Sequence, residues 1–163
     1  MLPLAPEQAA APAQAPVSAQ ELALVRGHAV LLYDGVCGLC NRVVQFLLNR
    51  DRAERLRFAP LESGLAQKLL ESQPPDSGPE GVVLILGART PGQRVLRRSD
   101  AVAEALRLLP GGWPLLGWAL RLIPRFVRET GYGWVARVRY RVFGRLESCP
   151  LPTPEQRNRL LGH

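Results

Sequence analysis

The run His28-Ala29-Val30-Leu31-Leu32-Tyr33 shows no alternation of polar and apolar side chains. A strand with that pattern is apolar on both faces, so it belongs inside a sheet that is covered on two sides. Val82-Val83-Leu84-Ile85-Leu86 repeats the pattern. Two such strands require helices on each face of one sheet, which predicts an α/β layered architecture.

The segments between them fit that prediction. Asp34-Gly35-Val36 breaks the first strand, and Leu39, Val43, Phe46 and Leu47 then recur at helical spacing, with Val44 and Leu48 widening the stripe. Leu56-Arg57-Phe58-Ala59 reads as a second strand halted by Pro60, followed by a short helix marked by Leu61, Leu65 and Leu69. Residues 72–80 are a Ser/Pro/Asp/Gly loop. After the third strand, residues 87–92 form a hairpin connection to a fourth near Arg94–Arg97. Ser99 is placed to cap the next helix, with Asp100 in its first turn, and Pro110-Gly111-Gly112 ends it. The predicted order over 27–110 is β-α-β-α-β-β-α with a four-stranded mixed sheet, the order of a thioredoxin-like core.

The flanks read differently. Residues 1–20 are Ala, Pro and Gln with few large side chains, and are expected to be a disordered leader. Residues 111–145 form an Arg-rich helical extension, with helices near 114–122 and 125–140. Pro114 and Pro124 suit first turns, and Gly131 and Gly133 weaken the second helix by about 1 kcal/mol each. Residues 146–163 are expected to be an irregular tail with a short final helix. The apolar stretch Trp113 to Ile123 is too short to span a bilayer. The N-terminal run lacks a basic region and is broken by prolines, so no signal peptide is expected and the cytoplasm is the default location.

Three cysteines in 163 residues are too few for a disulfide scaffold, so the close pair Cys37-Gly38-Leu39-Cys40 points to redox chemistry or metal. Thiol–disulfide exchange needs a thiolate and a second thiol near enough to resolve the mixed disulfide. Cys37 falls at a helix N-terminus, where unpaired N–H groups and the helix dipole favour the thiolate. Cys40 lies on the side of Val44 and Leu47 and is expected to be the more buried. Cys37 is therefore the attacking thiol and Cys40 the resolving one. Gly35 permits a tight strand-to-helix turn, and Gly38 lets a partner's backbone approach the sulfur. Asp34 is a candidate proton acceptor or turn cap. A closed zinc site takes four ligands. The other candidates are Cys149, His28 and His163, and there is no second Cys-x-x-Cys, so no metal is expected. No cofactor is expected beyond the Cys37–Cys40 disulfide itself.

Around these residues, Asp34-Gly35-Val36-Cys37-Gly38-Leu39-Cys40-Asn41 resembles the DCC family of thiol–disulfide oxidoreductases, named for its Asp-x-x-Cys-x-x-Cys motif. The resemblance continues at Arg50-Asp51, Phe58-Ala59-Pro60-Leu61, Arg98-Ser99-Asp100-Ala101 and Leu122-Ile123-Pro124. It resumes at Tyr140-Arg141-Val142-Phe143-Gly144-Arg145 and Cys149-Pro150-Leu151-Pro152. It implies a thioredoxin-like fold, a redox pair at Cys37 and Cys40, and Asp34 as the motif acid, but names no substrate. Val138 stands where the family commonly has Asn. Pro79 is the nearest candidate for the proline that thioredoxin-like proteins place before a strand.

The chain carries 21 basic and 14 acidic residues, a net charge of +7, and Lys68 is its only lysine. Arg121, Arg125 and Arg128 share one helical face, and Arg137, Arg141 and Arg145 another, interleaved with Trp134, Tyr140 and Phe143. Such faces either bond to the protein's own carboxylates and helix ends or dock on a membrane surface or acidic partner; nucleic acid is not expected. Cys149 is either a third redox thiol or a packed small hydrophobe. The expected function is thiol–disulfide exchange in the reductase direction, on a protein or small-molecule disulfide, with a separate reductant. The alternative is a non-enzymatic binding module that docks through its Arg-rich helices.

Overall fold

The computed structural model describes residues 17–71, 73, 81–146 and 153–162. Its elements are α1 (Ala19–Val25), β1 (Ala29–Tyr33), α2 (Gly38–Arg50), β2 (Leu56–Pro60), α3 (Gly64–Leu70), β3 (Val83–Leu86), β4 (Arg94–Arg97), α4 (Arg98–Leu108), α5 (Trp113–Leu122) and α6 (Arg125–Phe143). The strands form one mixed sheet in the order β2-β1-β3-β4. β1 pairs parallel to β2, with Leu31 opposite Phe58, and antiparallel to β3, with Leu31 opposite Leu84. β3 and β4 form the expected hairpin. The result is a thioredoxin-like α/β fold with a helical C-terminal part.

All five residues of β1 are buried. Because side chains alternate along a strand, they divide between two cores. Ala29, Leu31 and Tyr33 pack with Val44, Leu47 and Leu48 of α2 and Ala101 and Ala105 of α4. Val30 and Leu32 pack with Val25 of α1 and Leu65, Ala66 and Leu69 of α3. Each such leucine contributes roughly 1.5–3 kcal/mol by leaving water, which is why the run has no polar member.

The sequence reading needs correction at several places. The stretch expected to be disordered up to residue 20 already contains the start of α1. Ser18 and Glu21 form a reciprocal capping box at its N-terminus, a Ser-x-x-Glu signal overlooked beside the Ala/Pro composition. Ser99 does not cap α4; the helix starts at Arg98, with Arg97 at the N-cap, and leaves the Ser99 hydroxyl free to donate to Glu129 of α6. α6 passes Gly131 and Gly133 unbroken and runs three residues beyond its predicted end, to be stopped by Gly144 at φ 74°. The bonds of Glu129, Tyr132 and Arg139 to the rest of the domain hold the helix across both glycines. α5 sits against α4 through Gly117, where a Cβ would collide with the Ala103 carbonyl and the Arg107 side chain.

The described part of the tail, 153–162, ends in a pairing with the sheet edge in place of the expected final helix. Phe58 N–H donates to the Arg159 carbonyl (2.7 Å), and Leu161 N–H to the Phe58 carbonyl (2.8 Å). Arg159 reaches the buried Asp51, Nη2 to Oδ2 2.7 Å, and the same carboxylate accepts from the N–H groups of Arg55 (3.1 Å) and Leu56 (2.8 Å). Edge pairing satisfies backbone groups that a short isolated helix would leave to water. Among the described residues no helix is long and apolar enough to cross a membrane.

Breaking a buried ion pair by removing one partner typically costs about 3–5 kcal/mol, because the other charge is stranded. Asp51→Ala is expected to lose that much, read as a lowered urea midpoint. Arg159→Met, which removes the charge from the tail instead, should cost less, since Asp51 keeps its backbone donors.

Candidate thiol site

The turn between β1 and α2 is built by its own polar atoms. Asp34 Oδ1 accepts from Val36 N–H (3.1 Å), closing an Asx turn, and Asn41 Nδ2 donates to the carbonyls of Gly35 (2.7 Å) and Cys37 (3.0 Å). Cys37 is the N-cap of α2, its Sγ accepting from Cys40 N–H at 3.3 Å. The first sulfur thus lies where helix N–H groups converge, with the second cysteine one turn on. Both thiols are free and both are buried.

Their relative exposure is the reverse of the expectation. Cys37 is 0% exposed and Cys40 6%. The cause is the chain leaving α6, which lies across the turn as a short antiparallel strap. Leu146 N–H donates to the Val36 carbonyl (2.7 Å), Gly38 N–H to the Gly144 carbonyl (3.3 Å), and Cys37 and Arg145 form an antiparallel bridge. Gly38 allows this approach, since a Cβ there would collide with the Phe143 carbonyl. The close backbone neighbour expected at Gly38 is here the protein's own chain.

Beneath the strap, α6 contributes Arg139. Its Nη2 donates to Asp34 Oδ2 (3.0 Å) and its Nη1 lies 3.6 Å from Cys40 Sγ. The Tyr140 hydroxyl donates to the same Asp34 oxygen. Asp34 therefore holds the turn with one oxygen and anchors α6 with the other, and its link to Cys40 runs through Arg139. Burial, then hydrogen bonding and charge at Cys37, push the Cys40 thiol up to about 12, while Arg139 pulls the other way. Burial opposes the Arg139 charge, but Cys40, Tyr140, Cys37 and Asp34 together outweigh it and hold the guanidinium above its ordinary value. Burial and the bond to Asp34 raise the Tyr140 phenol to about 12. At neutral pH, Cys40 is thus a thiol and Arg139 a cation.

Cys40 also borders a cleft of about 430 Å³, lined by Leu39, Val43, Val82, Val127, Val135 and Arg139. Its volume and apolar walls are those of a small-molecule pocket. On its rim Tyr132 accepts from Val82 N–H (2.9 Å), so the backbone entering β3 is already bonded.

The other sequence candidates are distributed as follows. Arg121 pairs with Glu104 (3.5 Å), Arg125 with Asp100 (3.4 Å), and Arg128 with Asp100 (2.9 Å) and the Ser99 hydroxyl (3.2 Å). These three therefore tie α5 and α6 to α4. Arg137 and Arg141 are exposed, and Arg145 lies exposed over the Tyr140 ring. Cys149, His163 and Pro79 lie outside the described residues. His28 contacts the Arg26 carbonyl and Arg57. Among the described residues no three His, Cys, Asp or Glu side chains are grouped to hold a metal ion. Arg139 was missed because the basic residues were grouped by their outer stripe. Arg139 lies two residues from both Arg137 and Arg141, which on a helix is the opposite face.

A thioredoxin-like sheet carrying a cysteine pair at the N-terminus of its first core helix defines a dithiol protein. The chain belongs to the DCC1-like thiol-disulfide oxidoreductase family, whose model matches residues 31–145. It is 36% identical over 134 residues to the uncharacterized protein YuxK of Bacillus subtilis, covering 81% of this chain and 93% of that one. It is 37% identical over 124 residues to a chloroplastic DCC family protein of Arabidopsis thaliana, covering 75% of this chain and 69% of the relative. No solved structure matches.

Two outcomes test this geometry. In a Cys40→Ser background, Gly38→Ala should displace the strap and speed alkylation of Cys37 by iodoacetamide several-fold. Stability should also fall as pH rises from about 9 toward 12, because the unfolded chain releases the Cys40 proton first and the folded chain retains it. Thermal melts across that range should show a shallower decline for Cys40→Ala.

Proposed function

We propose that Cys37 and Cys40 carry out thiol–disulfide exchange, with Cys37 attacking and Cys40 resolving, in the reductase direction of a reducing compartment such as the cytoplasm. The observation that carries this reading is the division of roles at the helix end. Cys37 Sγ receives a helix N–H, whereas Cys40 keeps its proton up to about pH 12. The Cys37 thiolate attacks a substrate disulfide, forming a mixed disulfide and releasing one thiolate. Cys40 then gives its proton to the first released thiolate or to water and attacks Cys37 Sγ, closing the Cys37–Cys40 disulfide and releasing the second thiolate. Two electrons pass from the pair to the substrate, and a separate dithiol reductant restores the pair. Arg139, 3.6 Å from Cys40 Sγ, offsets the charge that develops there during resolution. Asp34 holds Arg139 in place, so its part is to position that cation.

The substrate class is a protein or small-molecule disulfide, and the strap over Cys37 has to yield before it is reached. Full burial of Cys37 also favours a second reading, in which the core is a scaffold for docking and the thiols are structural.

Trapping separates the two readings. Cys40→Ser should accumulate mixed disulfides in cells that are lost on reduction, and Cys37→Ser should not. Equal trapping by both variants would overturn the assignment of roles, and none by either would favour the scaffold.

A further inference from the structure

All the exposed large hydrophobic side chains among the described residues lie between 115 and 143, on α5, α6 and the turn joining them. Leu122 is 84% exposed, Phe126 74%, Leu115 73% and Trp134 64%. A concentration of large exposed apolar side chains on one pair of helices marks an interface. The outer side of α6 has a definite composition. Phe126, Thr130, Trp134, Arg137 and Arg141 succeed one another at steps of three and four residues, so two aromatics and two arginines occupy one stripe. Arg137 and Arg141 make no ion pair among the described residues, unlike Arg121, Arg125 and Arg128. The only carboxylate in residues 113–146 is Glu129, and it is already bonded to Ser99 and Arg98.

We infer that this face of α5 and α6 seats on an anionic lipid bilayer as a peripheral, non-spanning contact. Large apolar side chains enter the headgroup boundary while long arginines extend to the phosphates, the composition of an interfacial helix. A second copy of the chain fits less well. A two-fold interface sets the same patch against itself, which would gather two copies of Arg137 and Arg141 on one interface with no carboxylate of residues 113–146 free to answer them. The inference does not depend on the thiol chemistry, but it bears on access to it. Ile123, Val127 and Val135 are exposed members of this helix pair that also line the cleft at Cys40.

The test is flotation of the full chain with vesicles of pure phosphatidylcholine and of phosphatidylcholine with phosphatidylglycerol in equal parts. Binding is expected to the mixed vesicles, with a blue shift of tryptophan emission, and to weaken with salt. Arg137→Gln and Arg141→Gln should each weaken it roughly fivefold, from about 1 kcal/mol per basic side chain near an anionic surface. Phe126→Ser with Trp134→Ser should weaken it by an order of magnitude or more. These positions are exposed, so circular dichroism should show an unchanged fold. No flotation with either vesicle would overturn the inference, as would binding indifferent to all four substitutions. A lipid-independent dimer, or capture of a soluble acidic protein, that needs Phe126 and Trp134 would overturn it as well.

Discussion

A single buried cation joins the two halves of this site. Arg139 leaves the inner side of α6, bonds to Asp34 in the turn after β1 and reaches the sulfur of Cys40. Taking a guanidinium out of water costs several kcal/mol after relaxation, so it stays charged only where acceptors replace the lost hydration. Asp34 supplies a formal negative charge, and the Tyr140 hydroxyl and Cys40 sulfur also accept from the guanidinium. The same contact fixes the direction in which α6 arrives. The chain beyond Phe143 therefore emerges over the N-terminus of α2 and pairs with Val36 and Gly38.

That arrangement gives the two thiols unlike surroundings. Cys37 is covered by backbone and receives a helix N–H; Cys40 faces an apolar cleft, which favours its neutral form, with one cation close by. In the exchange proposed above, Cys40 would have to stay inert until its partner is bonded to substrate, then ionise to attack. An apolar wall serves the first requirement and Arg139 the second. The strap adds a steric condition, because the backbone edge beside Cys37 is occupied by the protein's own chain.

α6 has two chemically different sides. Inward, Arg128, Glu129, Tyr132 and Arg139 bond to α4, to the start of β3 and to the turn before α2. Outward, Phe126, Trp134, Arg137 and Arg141 are exposed. Amphipathic helices ordinarily place their apolar side on the core. Here polar bonds hold the inner side and much of the apolar surface faces out, so the helix is stapled to the domain electrostatically while its hydrophobic surface remains available.

The sequence by itself determined the sheet, its covered faces and the place of the thiol pair. An unbroken apolar run such as residues 28–33 has one stable environment, and Asp-Gly followed by a helical stripe fixes the turn that carries Cys37. Ser18-x-x-Glu21 was equally local, but it was hidden by the surrounding composition. Only the tertiary structure decided which cysteine is covered, which arginine enters the site and where the tail ends. Those outcomes depend on contacts between residues about a hundred positions apart, Asp34 with Arg139 and Asp51 with Arg159. Helical periodicity says which residues share a side. Which side turns inward is settled by the partner it meets.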